Sequence, residues 1–181
     1  MSNTALLVID VQKEYFAPHG KLVLPDGPKA LENIQTLLTW ARARQFPVIH
    51  ILHQTTRPNH PFFVKGTVGA ELHDEIVPAV NEPIIFKHKP GSFTGTRLAE
   101  ILQAQSVDRL VICGYMTHMC CDTTTREAAG MDYQVIFAAD ATATLDLGLG
   151  EQCIPHHQVH QTTLAIMSFF ATVQNTEEIV K

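Results

Sequence analysis

Short apolar runs, each closed by Gly, Pro or a charged residue, recur along the chain: ALLVID (5–10), PVIHIL (47–52), PIIFK (83–87), RLVIC (109–113) and YQVIFAA (133–139). They are rich in Val and Ile and nearly continuous, the pattern of strands covered on both faces. Helical periods separate them. In GPKALENIQTLLTWARARQ, Leu31, Ile34, Leu37, Leu38 and Ala41 share one face, and GTRLAEILQAQ groups Leu98, Ile101 and Leu102. VHQTTLAIMSFFATV predicts a last helix carrying Val159, Leu164, Met167 and Phe170. Alternating strands and helices imply right-handed crossovers and a parallel sheet. The predicted fold is an α/β three-layer sandwich, an open, mostly parallel sheet with helices on both faces, in one domain over residues 1–181. The longest irregular stretch runs from Gln54 to Glu71, a length at which loops are often functional.

A chain of 181 residues can bury a core without covalent staples. Hydrophobic residues make up 45% and charged residues 17%, within the range of a soluble globule. The net charge of -5 comes without the clustered basic surface that nucleic acid requires. No apolar stretch reaches the roughly 20 residues that span a bilayer. MSNTALLVID lacks a basic leader region, so no signal peptide is expected. The four cysteines, Cys113, Cys120, Cys121 and Cys153, match no zinc or CxxC spacing. They are expected to be reduced thiols of a cytoplasmic protein. Adjacent Cys120 and Cys121 would make a strained bridge, so a redox pair is not expected.

In an open parallel sheet, ligands bind beyond the carboxyl ends of the strands. The first strand delivers Asp10 there and the third delivers Lys87; the fourth leads through Gly114 to Cys120. Each has a plainer role: an Asp caps a turn, a Lys is solvated, a Cys packs. Charge alone does not separate Lys87 from Lys89, and packing does not separate Cys120 from Cys121. Their joint arrival at one edge points to nucleophilic chemistry. An ammonium and the free N–H groups of a helix start favour a thiolate. A carboxylate can take the thiol proton, and the same N–H groups can hold an oxyanion. Gly114 permits the tight exit from the strand.

Three segments, LLVIDVQKEYF, FKHKPGSFTGTRL and CGYMTHMCCDTTTREA, resemble motifs of the isochorismatase-like cysteine hydrolases, the superfamily of nicotinamidases and N-carbamoylsarcosine amidohydrolase. The resemblance covers nearly the whole chain and implies a Rossmann-like topology. A Lys six residues before a Phe selects Lys87, and G-x-x-T-x-x-C selects Cys120. The resemblance implies that Cys120 attacks an amide or related carbonyl and forms a thioester. Asp10 would serve as general base and acid, and Lys87 as electrostatic partner of the thiolate. It also implies a cis peptide at Tyr115–Met116 and an oxyanion hole from the N–H groups of Met116 and Cys120.

Two departures narrow the reading. True isochorismatases lack this cysteine and cleave a vinyl ether by acid catalysis, so Cys120 argues for acyl chemistry. Nicotinamidases carry an Asp-x-His metal motif after the second strand, yet no Asp or Glu occurs from Trp40 to Ala70. No metal and no cofactor are therefore expected. Candidate substrate contacts are Phe16, His53, Tyr115 and Phe63, with Tyr15 and Phe62 nearby. Arg57 and Lys65 could meet an anionic substrate, while HPFF could instead mark a subunit interface. His156, His157 and His160 read as surface or packing residues. The resemblance further implies a homo-oligomer, a dimer or tetramer whose neighbour completes the pocket. The leading expectation is a metal-independent hydrolase of a small-molecule amide or related C–N bond, with no nucleic-acid or membrane partner. The alternatives are a nicotinamidase-like enzyme with a metal held by His50, His53 and His60 alone, and a non-catalytic α/β binding module with buried thiols.

Overall fold

A computed structural model describes residues 3–55, 57 and 59–181. Of the long loop 54–71, Thr56 and Pro58 thus lie outside the described residues. β1 (Thr4–Ile9) is buried at every position. It pairs in parallel with β2 (Val48–His53) on one side and β4 (Arg109–Tyr115) on the other. β3 (Ile84–Lys87) extends the sheet beyond β2, and β5 (Gln134–Ala143) extends it beyond β4. The order is β3-β2-β1-β4-β5-β8, all parallel, with β8 at Thr172–Gln174. Successive strands are added leftward as far as β3, then the chain returns to start β4 on the other side of β1. The crevice this reversal opens, at the carboxyl ends of β1 and β4, is where such sheets bind ligands.

Alternation along β1 feeds two cores. Leu6 and Val8 meet Ile34 and Leu37 of α1 (Gly27–Ala43), while Leu7 and Ile9 join Leu102 of α2 (Leu98–Ala104) on the opposite face. α3 (Asp122–Gly130) and α4 (His156–Met167) complete that second layer, and α5 (Thr176–Ile179) joins α1. The expected three layers and five strands are present.

The last apolar segment differs from the expected helix. α4 starts at His156, behind Pro155, and ends at Met167. Phe170 is not on the helix face; it lies under the Arg126 guanidinium at 4.4 Å. Thr172–Gln174 instead forms β8 along the open edge of β5, with Ile136 opposite Thr172. An unpaired strand edge supplies backbone hydrogen bonds that a helical period cannot reveal. A small hairpin, β6 (Leu147–Leu149) with β7 (Gln152–Ile154), was likewise not expected.

In the long loop, Phe63 is buried edge-on against Tyr15, Phe62 is half-buried and Val68 is exposed. The buried carboxylate of Glu14 accepts the backbone N–H groups of Phe63 (3.0 Å) and Lys21 (2.9 Å), fixing two loops at once.

Near the amino ends of β2 and β3, Glu82 is a second buried carboxylate. It takes two hydrogen bonds from Arg42 of α1 (2.7 and 2.8 Å), one from the Ala79 N–H (2.9 Å), and meets His50 Nε2 at 2.9 Å. Burial works against its charge, but Arg42, His50 and Ala79 hold the carboxyl at about 2, below its ordinary 4.5. A depressed carboxyl stabilises the fold fully above its unfolded value, and that contribution drains away as pH falls through the folded one. Wild-type stability should therefore fall by about 2–3 kcal/mol between pH 4.5 and 2 from this group. Urea unfolding across that range should show the component in wild type and its absence in Glu82→Gln.

Candidate active site

Asp10 follows β1 directly and has φ 53°, a left-handed conformation that Asp tolerates better than most residues. Its N–H donates to Ile51 O (2.8 Å), which turns the residue toward β2. Two residues on, the buried side chain of Gln12 donates to His53 O (2.9 Å) and Ala70 O (2.8 Å) and accepts the His53 N–H (2.8 Å). Gln12 thereby ties the end of β2 to the chain leaving β1. His53 stands beside Lys87 in the β2–β3 register. Strands lie about 4.8 Å apart, so only a long side chain crosses from β3 over β2 toward Asp10.

The third participant depends on Gly114. It has φ +119°, and a Cβ there would lie 2.0 Å from Ile9 O. The absent side chain lets β4 press against β1 at the residue before Asp10, and the chain then leaves through a cis peptide at Tyr115–Met116. Thr117–Cys121 form a single π-helical turn, with the amides of Met119 and Cys121 folded back on Met116 O (3.1 and 3.2 Å). Such widened turns recur at functional sites. Cys120 thus sits inside the wide turn leading into α3, rather than at the mouth of the α-helix itself. His160 Nδ1 meets Thr117 Oγ1 at 3.0 Å, and His118 Nδ1 meets Thr144 Oγ1 at 2.5 Å, so both sides of the turn are tethered.

The structure brings Asp10, Lys87, Cys120 and His53 together. Lys87 Nζ lies 2.7 Å from Asp10 Oδ2, 3.1 Å from Cys120 Sγ, 3.3 Å from Lys89 O and 3.4 Å from His53 Nδ1. Lys89 contributes its carbonyl only. Asp10 and Lys87 are fully buried, while Cys120 keeps 6% exposure. Among the described residues, the carboxylate oxygens of Asp10 receive no other hydrogen bond. Burial opposes the Lys87 charge, but Asp10 and Cys120 more than restore it, and its pKa is raised. Burial pushes the Cys120 thiol far up, Asp10 adds to the rise, and Lys87 only partly offsets both. Burial thus works against the thiolate form that Lys87 favours. Burial, with Lys87 beside it, lowers His53 and keeps it neutral.

The remaining candidates divide. Phe63 stacks edge-on against His53, with ring centroids 5.4 Å apart. Tyr115 does not line the site: it is fully buried, and its hydroxyl donates to Gly27 O (2.7 Å) at the start of α1. Phe16 is buried against Tyr115 and His73. Sequence reasoning passed over the side chains that fix the Lys87 loop to α3. Ser92 meets Thr124 at 2.8 Å, the Phe93 N–H donates to Glu127 (3.0 Å), and Thr94 also bonds Glu127. Tyr15, buried near Cys120 and Asp10, has its phenol pushed well up by burial and by those two groups.

His50, His53 and His60 do not converge. His50 bonds Glu82, and His60 Nδ1 meets Phe62 O at 2.8 Å. Among the described residues, the one triplet of His, Cys and carboxylate ligand atoms lying within 4.8 Å of one another is Asp10, His53 and Cys120. His156 is a partly exposed partner of Asp146 (2.8 Å), in keeping with a surface role.

Comparison with known proteins gives concordant results. The isochorismatase domain model matches residues 4–178. An uncharacterised isochorismatase family protein of Bacillus subtilis (strain 168) is 40% identical over 179 residues, 98% of this chain and 99% of that protein. Nicotinamidase 3 of Arabidopsis thaliana is 30% identical over 177 residues, 91% of this chain and 80% of its own length. The crystal structure of a cysteine hydrolase from Pseudomonas syringae pv. phaseolicola superposes with a TM-score of 0.92 at 27% identity, covering 98% of this chain and 91% of that one.

Gly114→Ala should cost at least about 3 kcal/mol in unfolding free energy, because both its dihedral and its contact with Ile9 O are violated. Chemical denaturation with far-UV circular dichroism measures this.

Proposed function

The chain belongs to the isochorismatase domain family of hydrolases, and on that premise we propose that it hydrolyses an amide or related C–N bond of a small molecule through a thioester on Cys120. One observation carries the reading: the Lys87 ammonium touches both the Asp10 carboxylate and the Cys120 sulfur. Relatives named nicotinamidase and cysteine hydrolase support it. The family also takes its name from a C–O cleaving enzyme, and the thiol is what favours acyl transfer here.

In this mechanism Asp10 takes the Sγ proton as sulfur attacks the carbonyl carbon. The proton moves inside a site whose net charge is unchanged, since carboxylate plus thiol becomes carboxylic acid plus thiolate beside the same ammonium. That avoids creating an unpaired charge away from water. The carbonyl oxygen becomes an oxyanion held by the N–H groups of Met116 and Cys120. Collapse expels the amine, which takes the proton from Asp10. Water then gives a proton to Asp10 while its oxygen attacks the thioester, and the departing sulfur recovers that proton. His53, with Nδ1 turned to Lys87, offers its Nε2–H to the substrate, and Phe63 backs the imidazole.

The whole chain would act as one domain in a homo-oligomer. A reducing cytoplasm suits its four free thiols. No described helix is long and apolar enough to cross a membrane.

Incubation with a library of small amides, followed by mass spectrometry, should find an acyl adduct on the Cys120 peptide. Cys120→Ala should abolish both adduct and turnover, and turnover surviving in it would sink the proposal. Asp10→Asn should lower kcat/KM by roughly 10²–10⁴. Iodoacetamide should modify exposed Cys153 and, with loss of activity, Cys120, while fully buried Cys113 and Cys121 stay intact.

A further inference from the structure

The four atoms around Lys87 Nζ form a set with a second chemical meaning. A carboxylate oxygen at 2.7 Å, a sulfur at 3.1 Å, a backbone carbonyl at 3.3 Å and an imidazole nitrogen at 3.4 Å enclose one cation. Three of the residues that supply them, Asp10, Cys120 and His53, also form the one triplet of metal-capable side chains that bring a ligand atom each within 4.8 Å of one another among the described residues. Sulfur, imidazole and carboxylate together are ligands of zinc and its tetrahedral analogue cobalt. In such a site, bonds of about 2.0–2.3 Å place ligand atoms roughly 3.3–3.8 Å apart, so a contraction of about an ångström would close the cage.

We propose that the Lys87 ammonium occupies the cation position of a latent divalent-metal site formed by Asp10, His53 and Cys120, and that it excludes soft divalent metals from the thiol centre. Charge accounting supports the exclusion. The single positive charge of Lys87 pairs with the single negative charge of Asp10 at 2.7 Å. A divalent ion brings twice that charge into the same four-atom cage. The ammonium could not stay, because it and the ion would compete for the same four acceptors at about 3 Å from each other. Removing the ammonium leaves the acceptors in place and the centre vacant. A Lys supplied from β3, braced by the Ser92–Thr124 and Phe93–Glu127 bonds, thus gives a metal-tolerant thiol centre.

The inference concerns the side chains of the proposed hydrolase, but its readout is metal binding rather than turnover, so either reading can fail alone. Cobalt(II) is titrated into wild type and Lys87→Ala, following the visible bands of tetrahedral cobalt and the thiolate-to-cobalt charge-transfer band. Lys87→Ala should bind one equivalent at least ~100-fold more tightly than wild type. The charge-transfer band should vanish when Cys120→Ala is added. Equal affinity in wild type overturns the proposal, as does a Lys87→Ala protein with native circular dichroism and no bands. Lys87→Ser serves the same purpose if the alanine variant does not fold. In wild type, zinc(II) should leave the rate of iodoacetamide modification at the Cys120 peptide unchanged; zinc protection of that thiol would also overturn it.

Discussion

A buried ammonium holding a buried carboxylate and a thiol is the contact on which the rest of this molecule depends. Taking Lys87 and Asp10 out of water costs several kcal/mol per ion, and their attraction offsets this only at good geometry. The 2.7 Å contact meets that condition, and Cys120, Lys89 and His53 share the remaining donors of Lys87. The ion pair therefore contributes little net stability. What it holds together is a buried carboxylate and a sulfur on one ammonium.

Much of the fold reads as the means of keeping that contact. The strand order reverses at β1, so the carboxyl ends of β1 and β4 lie side by side. The missing side chain of Gly114 brings the two backbones close immediately behind Asp10. Gln12 locks the end of β2 to the same place, which sets His53. Bonds from Ser92, Phe93 and Thr94 to α3 then fix the lysine strand to the helix that follows Cys120. These constraints come from separate elements, and none contributes a reacting atom.

Five strands, and Asp10, Lys87 and Cys120 at or beyond their carboxyl ends, were legible in apolar runs rich in Val and Ile. β3, however, is an edge strand whose Ile84 and Phe86 are exposed rather than covered on both faces. β8 was not legible, since the pairing of Thr172 with Ile136 is a tertiary event that outweighs a helical period. Tyr115 looked like a wall of the site because it borders the nucleophile loop, yet its ring points inward to Gly27. Gln12, Glu14, Thr124 and Glu127 were missed for a common reason. A polar residue outside a strand looks solvated until the backbone or hydroxyl groups that it satisfies are known. Burial likewise opposes the thiolate, because an ammonium in a dry site must overcome desolvation before it can favour an anion.

The clamp made by Glu14 carries a consequence for diversification. It grips the main-chain amides at positions 63 and 21, not their side chains. Any residue other than proline that tolerates the left-handed φ at position 63 supplies the same donor. The anchor therefore persists through changes of side chain at either position that keep the backbone N–H.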